Sequence, residues 1–280
     1  MTLLSVDGTN TMHRAYHAIR PMDHNGFPTN VIVGYINILR SNIREYGITH
    51  VLNSFDRPGE NFRHKIHPEY KGTRPKDAAK SEALKKQLPV IVELLDAMGY
   101  AVFGKRGVEA DDVIGSTASR YEGGLAYILS GDKDFAQELT QKHVRIINPN
   151  KKIVVTPKNC KEIYGVVPKR MVDYLMLDGD EIDNIPGIPG VGHKTAVDLI
   201  EAYGKAEKIP NERFPKKARE TVNITKILKL NRQLVTIRHD LYDANTELDL
   251  SISKMNVKAF TRICERYGLD RLKASILKSK

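Results

Sequence analysis

The amino-acid sequence predicts an α/β fold: a largely parallel central sheet flanked by helices, followed by a helical C-terminal region. Three observations predict it. Short apolar runs alternate with stretches whose apolar residues recur at helical spacing, the pattern of βα units. Acidic residues stand where those runs end or where helices begin. Beyond Pro157 the pattern is helical, interrupted by a glycine- and proline-rich stretch at 187–192.

Leu3 to Val6 reads as the first strand. Val31 to Tyr46 places Ile32, Tyr35, Ile36, Leu39 and Ile43 on one helix face. His50 to Phe55 is the second strand. Leu84, Leu88, Ile91, Val92, Leu95 and Met98 line a helix that leads into a strand at Tyr100 to Phe103. Asp111 to Tyr121 is a further helix and Leu125 to Leu129 a buried strand. Val144 to Ile147 and Ile153 to Val155 form two more strands about a turn at Pro149-Asn150. The boundary falls near residue 165, with an α/β domain over 1–165 and a helical region over 166–280. Within the first, Arg57 to Lys86 breaks the rhythm: it is poor in apolar residues, with Lys or Arg at 57, 63, 65, 71, 74, 76, 80, 85 and 86.

The 280 residues suffice for a full core, as one large domain with a smaller lobe or as two domains. A hydrophobic share of 41% and a charged share of 28% describe an ordinary soluble globular protein. The apolar runs are too short to cross a bilayer, and the N-terminus enters a strand directly, against a signal peptide. Cys160 and Cys264 stand far apart, which argues against a disulfide framework or a zinc site and fits a reducing cytoplasm. A formal net charge of +10 favours a polyanionic partner.

In an open parallel sheet, ligands sit beyond the carboxyl ends of the strands. Asp7 follows the first strand, Asp56 the second and Asp132 the strand ending at Leu129-Ser130, while Glu109, Asp111 and Asp112 open the helix after the Tyr100 strand. Carboxylates gathered inside a positive surface repel one another unless cations fill the pocket. Hard divalent ions take oxygen ligands, and two ions roughly 4 Å apart can act on a phosphodiester. Each acid also has an ordinary reading. Asp7-Gly8 and Gly131-Asp132 suit turns, and Glu109 and Asp111 suit a helix N-terminus. Asp180 and Asp183, in the helical part, are not reached by the strand-end argument.

Pro168 to Leu177 and His193 to Ala202 read as two helices joined through Gly187-Ile188-Pro189-Gly190-Val191-Gly192. Such a turn leaves backbone N–H groups open to a phosphate oxygen at a helix N-terminus, with Lys194 in reach. An ordinary helical hairpin is the other reading. The basic stretch from Arg57 is either a solvated charged face or an arch at about 57–90 over a single strand. As an arch, its Arg63, Lys85 and Lys86 would meet DNA, Tyr70 would stack a base, and Lys71 and Arg74 would meet the scissile phosphate. His64 and His67 read as surface residues.

Taken together, the motifs resemble the 5′ nuclease family. That family includes the N-terminal nuclease domain of bacterial DNA polymerase I, bacteriophage 5′–3′ exonucleases and flap endonucleases. The resemblance rests on Val6-Asp7-Gly8, Arg14-Ala15-Tyr16-His17-Ala18, Phe55-Asp56, Tyr70-Lys71-Gly72-Thr73-Arg74-Pro75 and Gly107-Val108-Glu109-Ala110-Asp111-Asp112. It continues through Gly131-Asp132-Lys133-Asp134, Gly179-Asp180-Glu181-Ile182-Asp183-Asn184-Ile185-Pro186-Gly187 and Gly190-Val191-Gly192-His193-Lys194-Thr195-Ala196. It implies a PIN-like fold and a site for two or more Mg²⁺ ions, with Mn²⁺ as a substitute. Asp7, Asp56, Glu109, Asp111, Asp112 and Asp132 would serve the first ion directly or through water, and Asp134, Asp180 and Asp183 the second. Lys71, Arg74, Tyr70 and Arg14 match the family's residues around the reacting phosphate. Gly187, Gly190, Gly192, Lys194 and Thr195 match its helix-hairpin-helix, which holds K⁺ and grips the duplex.

The expectation is therefore a metal-dependent, structure-specific 5′–3′ exonuclease and flap endonuclease of DNA replication, repair or primer removal, leaving 5′-phosphate and 3′-hydroxyl ends. It would act as a cytoplasmic monomer, in a bacterial or phage-infected cell, on DNA 5′ flaps, 5′ ends, nicks or RNA/DNA primers. Two other readings stay open: a non-catalytic DNA-binding module and a ribonuclease of the related small α/β fold.

Overall fold

In a computed structural model the structure describes residues 1–74, 77–242 and 249–278. The α/β body opens with β1 (Thr2–Asp7), α1 (Gly8–Ala18), β2 (Asp23–His24), β3 (Phe27–Pro28), α2 (Asn30–Glu45) and β4 (His50–Ser54). It continues with α3 (Phe62–Ile66), α4 (Ala78–Ala97), β5 (Ala101–Phe103), α5 (Ala110–Arg120), β6 (Leu125–Leu129), β7 (Val144–Asn148) and β8 (Ile153–Val155). Then follow α6 (Cys160–Tyr164), α7 (Met171–Asp178), α8 (His193–Tyr203), α9 (Lys216–Thr221), α10 (Ile224–Val235), α11 (Val257–Arg266) and α12 (Asp270–Leu277). Among the described residues no helix is long and apolar enough to cross a membrane.

The sheet has the order β5-β4-β1-β6-β7-β8. It is parallel throughout except for β8, which runs antiparallel to β7 across the expected turn. The chain steps from β1 to β4 on one side and to β6 on the other, so β1 stands where the order reverses, the place where an α/β sheet opens a crevice. The register pairs Asp7 with Ser54 and Val6 with Leu129. The loops carrying Asp56 and Asp132 thus leave the sheet beside Asp7.

Alternation along the strands divides the core in two. Leu4, Val6 and Val51 pack with α2 and α4 on one face, while Leu3, Leu52, Ile128 and Ile146 face the other way. The second cluster runs on without a break into Leu175, Met176, Leu199 and Leu234 of the helical region. The C-terminal helices do not belong to that region. Phe260 of α11 and Leu272 of α12 are buried in the first cluster, and Asn256 donates its backbone N–H to Ala97 O of α4. Burying each such side chain contributes about 1.5–3 kcal/mol. The stretch expected as one helical region over 166–280 is therefore split: 166–242 extends one sheet face, and 256–277 returns to cover the other.

Two elements lie outside the sequence expectation. The hairpin β2–β3 turns on Asn25-Gly26, both with positive φ (51° and 77°), the pair a tight hairpin turn favours. Helix α1 is polar and buries little beyond Gly8, Thr11, Met12 and Ala15, so its apolar pattern is faint. The basic stretch is not one uniform arch. It contains α3, a turn at 67–74 and the first half of α4, and its Pro75 and Lys76 lie outside the described residues.

Candidate active site

Seven carboxylates face one another at the carboxyl edge of the sheet. Asp7 ends β1 and caps α1: one oxygen accepts from Asn10 N at 2.9 Å and the other from Ser130 Oγ at 2.9 Å. Gly8 lets that corner close, because a Cβ there would stand 2.5 Å from the Phe55 ring. Asp56 accepts from Ala110 N at 3.0 Å, so it holds the start of α5 against the end of β4. Asp132 accepts from Asp134 N at 2.9 Å, and Asp180 from the N–H groups of Ile182 and Asp183 at 2.8 and 3.0 Å. Asp111 opens α5 beside them. One oxygen of Asp134 is buried without a hydrogen-bond partner.

Burial and mutual repulsion shape the electrostatics. Burial pushes the Asp7 carboxyl up to about 7, and the charges of Asp56 and Asp132 add to the effect. Asp111 is raised by burial and then by Asp7 and Asp132, and Asp134 by burial and then by Asp132. Asp132 is raised by burial, with Asp183 and Asp180 adding. The turn at 180–183 therefore shares one field with the strand-end acids. Among the described residues no three acidic, His or Cys side chains converge as a finished metal cage. Like charges hold such a set apart. The chemistry still fits hard cations, since the donors are carboxylate oxygens and one is a buried acceptor with nothing to accept from.

The other two acids are already engaged. Asp112 takes Arg63 through both oxygens, at 2.8 and 2.9 Å, and also accepts from Arg238 N at 2.9 Å. Glu109 is held by Arg63 at 2.5 Å and by Lys71. Burial pushes the Glu109 carboxyl up, but Lys71 and Arg63 outweigh it and hold it below the usual range. Asp112 is thus an anchor for Arg63 rather than a free oxygen donor. Arg63 itself is no DNA-facing residue: it is 3% exposed and closes its fork on Leu234 O and Thr236 O as well. Nor can Tyr70 stack a base as it stands, being 5% exposed with its hydroxyl against Glu109 and its ring edge-on to His64.

Lys71 and Arg74 do lie over the acids. Lys71 takes φ +59° and donates its backbone N–H to Asp183 O at 2.8 Å, and Arg74 grips the Asp183 carboxylate at 2.6 and 2.8 Å. Thr73 and Asn184 add hydrogen bonds across the same joint. Burial opposes the charge on Lys71, but Glu109, Asp111 and Asp183 raise its pKa overall. Arg14, on α1, is tied to Asn150 at 2.9 Å and lines a groove of about 430 Å³ with Asn10, His13 and His17. Lys85 and Lys86 stand exposed on α4. Sequence reasoning passed over Asn10, Thr9 and Ser130, which orient the acids. Their only signal is polarity close after a strand end: Ser130 follows β6 directly, and Thr9 and Asn10 lie in the first turn of α1.

The expected hairpin is present between α7 and α8. Ile188 and Val191 are buried and pin the turn, Gly187 lies against Asp178 O, and Gly190 takes φ +80°. Gly192 caps α8 without a side chain, and Gly192, His193, Lys194 and Thr195 are all exposed. The first backbone N–H groups of α8 therefore point outward, open to an anion.

Comparison with known proteins gives the same outline. A family described as 5′–3′ exonuclease, N-terminal resolvase-like domain, matches residues 2–165, and one described as 5′–3′ exonuclease, C-terminal SAM fold, matches residues 166–262. A 5′–3′ exonuclease of Aquifex aeolicus is 37% identical over 262 residues, covering 90% of this chain and 87% of that one. Among solved structures, a bacteriophage T5 5′-exonuclease with bound zinc aligns at a TM-score of 0.72 and 23% identity, over 99% of each chain. The bacteriophage T5 flap endonuclease in a complex with DNA and metal ions aligns at 0.69 and 22% identity, over 99% of this chain and 98% of that one.

Proposed function

Since the chain belongs to the 5′–3′ exonuclease family, we propose that it is a divalent-metal-dependent 5′–3′ exonuclease and flap endonuclease of DNA. One observation carries the reading: seven mutually repelling carboxylates at the switch point of the sheet, with Lys71 and Arg74 laid across them. Asp7, Asp56, Asp111, Asp132, Asp134, Asp180 and Asp183 would hold the ions, and Glu109 would join them only when Lys71 turns from it to a phosphate. Oxygen donors suit Mg²⁺, with Mn²⁺ as a substitute. When bound, the ions supply Lewis-acid polarisation of the phosphodiester and neutralise its developing charge.

The chain's own groups bind and orient. The N-terminus of α8, with Lys194 and Thr195, holds a duplex phosphate, and the turn at Gly187, Gly190 and Gly192 offers carbonyl groups to K⁺. Such contacts fix position without reading bases. Lys85 and Lys86 on α4, and Arg14 on α1, line the approach of the 5′ strand. Lys71 and Arg74 hold the scissile phosphate while water adds to phosphorus and the 3′ oxygen leaves, giving 5′-phosphate and 3′-hydroxyl ends. The substrates are 5′ ends, nicks and flaps, including RNA/DNA primers, met by a cytoplasmic monomer. The test is cleavage of a 5′-labelled flap with Mg²⁺ and with EDTA, by the native chain and by Asp56→Asn with Asp132→Asn. Full cutting by the double variant would sink the assignment.

A further inference from the structure

A lysine stands between two of the acids assigned to the ions. Lys133, between Asp132 and Asp134, is only one-third exposed and donates not to its neighbours but to Asp178 Oδ2 at 3.2 Å. A lysine side chain is an ammonium at neutral pH, and this one is flanked in the chain by two of the ion-binding carboxylates. Asp178 is itself held. Tyr174, 3% exposed, donates its hydroxyl to the same Oδ2 at 2.5 Å, and its ring lies 5.7 Å from the Lys133 ammonium. Burial, with Asp178 next, pushes the Tyr174 phenol up, so it stays a donor. Its oxygen then accepts from His193 Nδ1 at 2.8 Å, at the first residue of α8.

The function proposed above gives none of these four residues a task. Yet an unrestrained ammonium between two ion ligands would compete with the ions. Tethered in the same chain, that ammonium would compete at high effective concentration. We propose that Asp178, aligned by Tyr174, is a positioning residue that holds the Lys133 ammonium off Asp132 and Asp134 so that divalent ions can occupy them. This rests on the metal-dependent nuclease reading. It adds that the ion requirement is set partly by residues outside the ligand set, as partners behind metal ligands commonly do.

The experiment is a double-mutant cycle of Asp178→Asn and Lys133→Ala, read two ways: the Mg²⁺ concentration for half-maximal cleavage of a nicked flap, and that for half of the Mg²⁺-induced rise in Tm without DNA. Asp178→Asn should raise both concentrations about tenfold. In the Lys133→Ala background the same change should have little effect, because the competing ammonium is gone. Equal effects in both backgrounds would show a simple loss of negative charge and overturn the proposal. Tyr174→Phe should shift the requirement in the same direction and serves if Asp178→Asn fails to fold. Absence of Mg²⁺-dependent cutting by the native chain would refute the nuclease reading instead, a separate outcome from unchanged Mg²⁺ midpoints in an active enzyme.

Discussion

Arg63 and Asp112 meet as a two-pronged ion pair, 49 residues apart in the chain and almost wholly buried. The remaining donors of Arg63 go to Glu109 and to the carbonyl groups that end α10. One guanidinium thus joins the basic stretch, the acidic helix α5 and the helical region. Burial opposes its charge, but Asp112 and Glu109 hold the pKa above its ordinary value.

Removing one partner of such a pair leaves an unpaired buried charge. Arg63→Ala should lower unfolding stability by about 3–5 kcal/mol, measured by denaturant titration. Arg63→Lys should recover little of it, since an ammonium cannot span two oxygens and two carbonyls at once. The affinity of still-folded Arg63→Ala for duplex DNA should be almost unchanged. A large loss of affinity without a loss of stability would place Arg63 on the DNA after all.

How far the sequence reveals this arrangement depends on the range of the forces involved. Strands and helices of the α/β body are legible because periodicity is local. The strand-end acids are legible because a parallel sheet gathers its carboxyl ends. Arg63 and Tyr70 are not, because a charged stretch looks alike whether its side chains face water or a carboxylate 46 residues away. The same holds for α11 and α12: an amphipathic helix shows that it buries a face but not which surface receives it.

Lys71 and Arg74 should act on rate more than on binding. Each now neutralises an acid of the site, and each would exchange that partner for a phosphate during turnover. Lys71→Ala should keep duplex affinity within about twofold and lower the single-turnover rate about 10²–10³-fold, the loss typical for one preorganised charge-stabilising group. A collapse of binding with an intact rate on saturated complex would reverse the assignment.

The raised carboxyls make stability depend on pH and on metal together. An Asp carboxyl is near 3.9 in the unfolded chain, whereas Asp7 is pushed up to about 7 by burial and by Asp56 and Asp132. Asp111, Asp132 and Asp134 are raised too, with burial the first cause of each. The folded state therefore keeps protons that the unfolded state releases, and metal-free stability must fall as pH rises from about 4 to about 7. Thermal melts in EDTA should drop by about 5 °C or more between pH 5 and pH 8. Added Mg²⁺ should restore the loss at pH 8 and do little at pH 5. Melts independent of pH in EDTA would show that these acids are not held together.

The hairpin offers a test of duplex binding separate from the chemistry. A Cβ on Gly187 would stand 2.5 Å from Asp178 O, a backbone atom that cannot swing aside, so the turn must shift to admit it. That shift moves the first N–H groups of α8, which nothing in the helix itself satisfies. Gly187→Ala should therefore weaken binding to plain duplex about tenfold or more. Lys194→Ala keeps the turn and removes one cation, so it should weaken binding evenly across sequences and lower the slope of log affinity against log salt by about 1. Cutting of a saturated flap complex should survive Lys194→Ala, since no acid of the site touches it. If the salt slope is unchanged, the N-terminus of α8 is not where the duplex backbone lies.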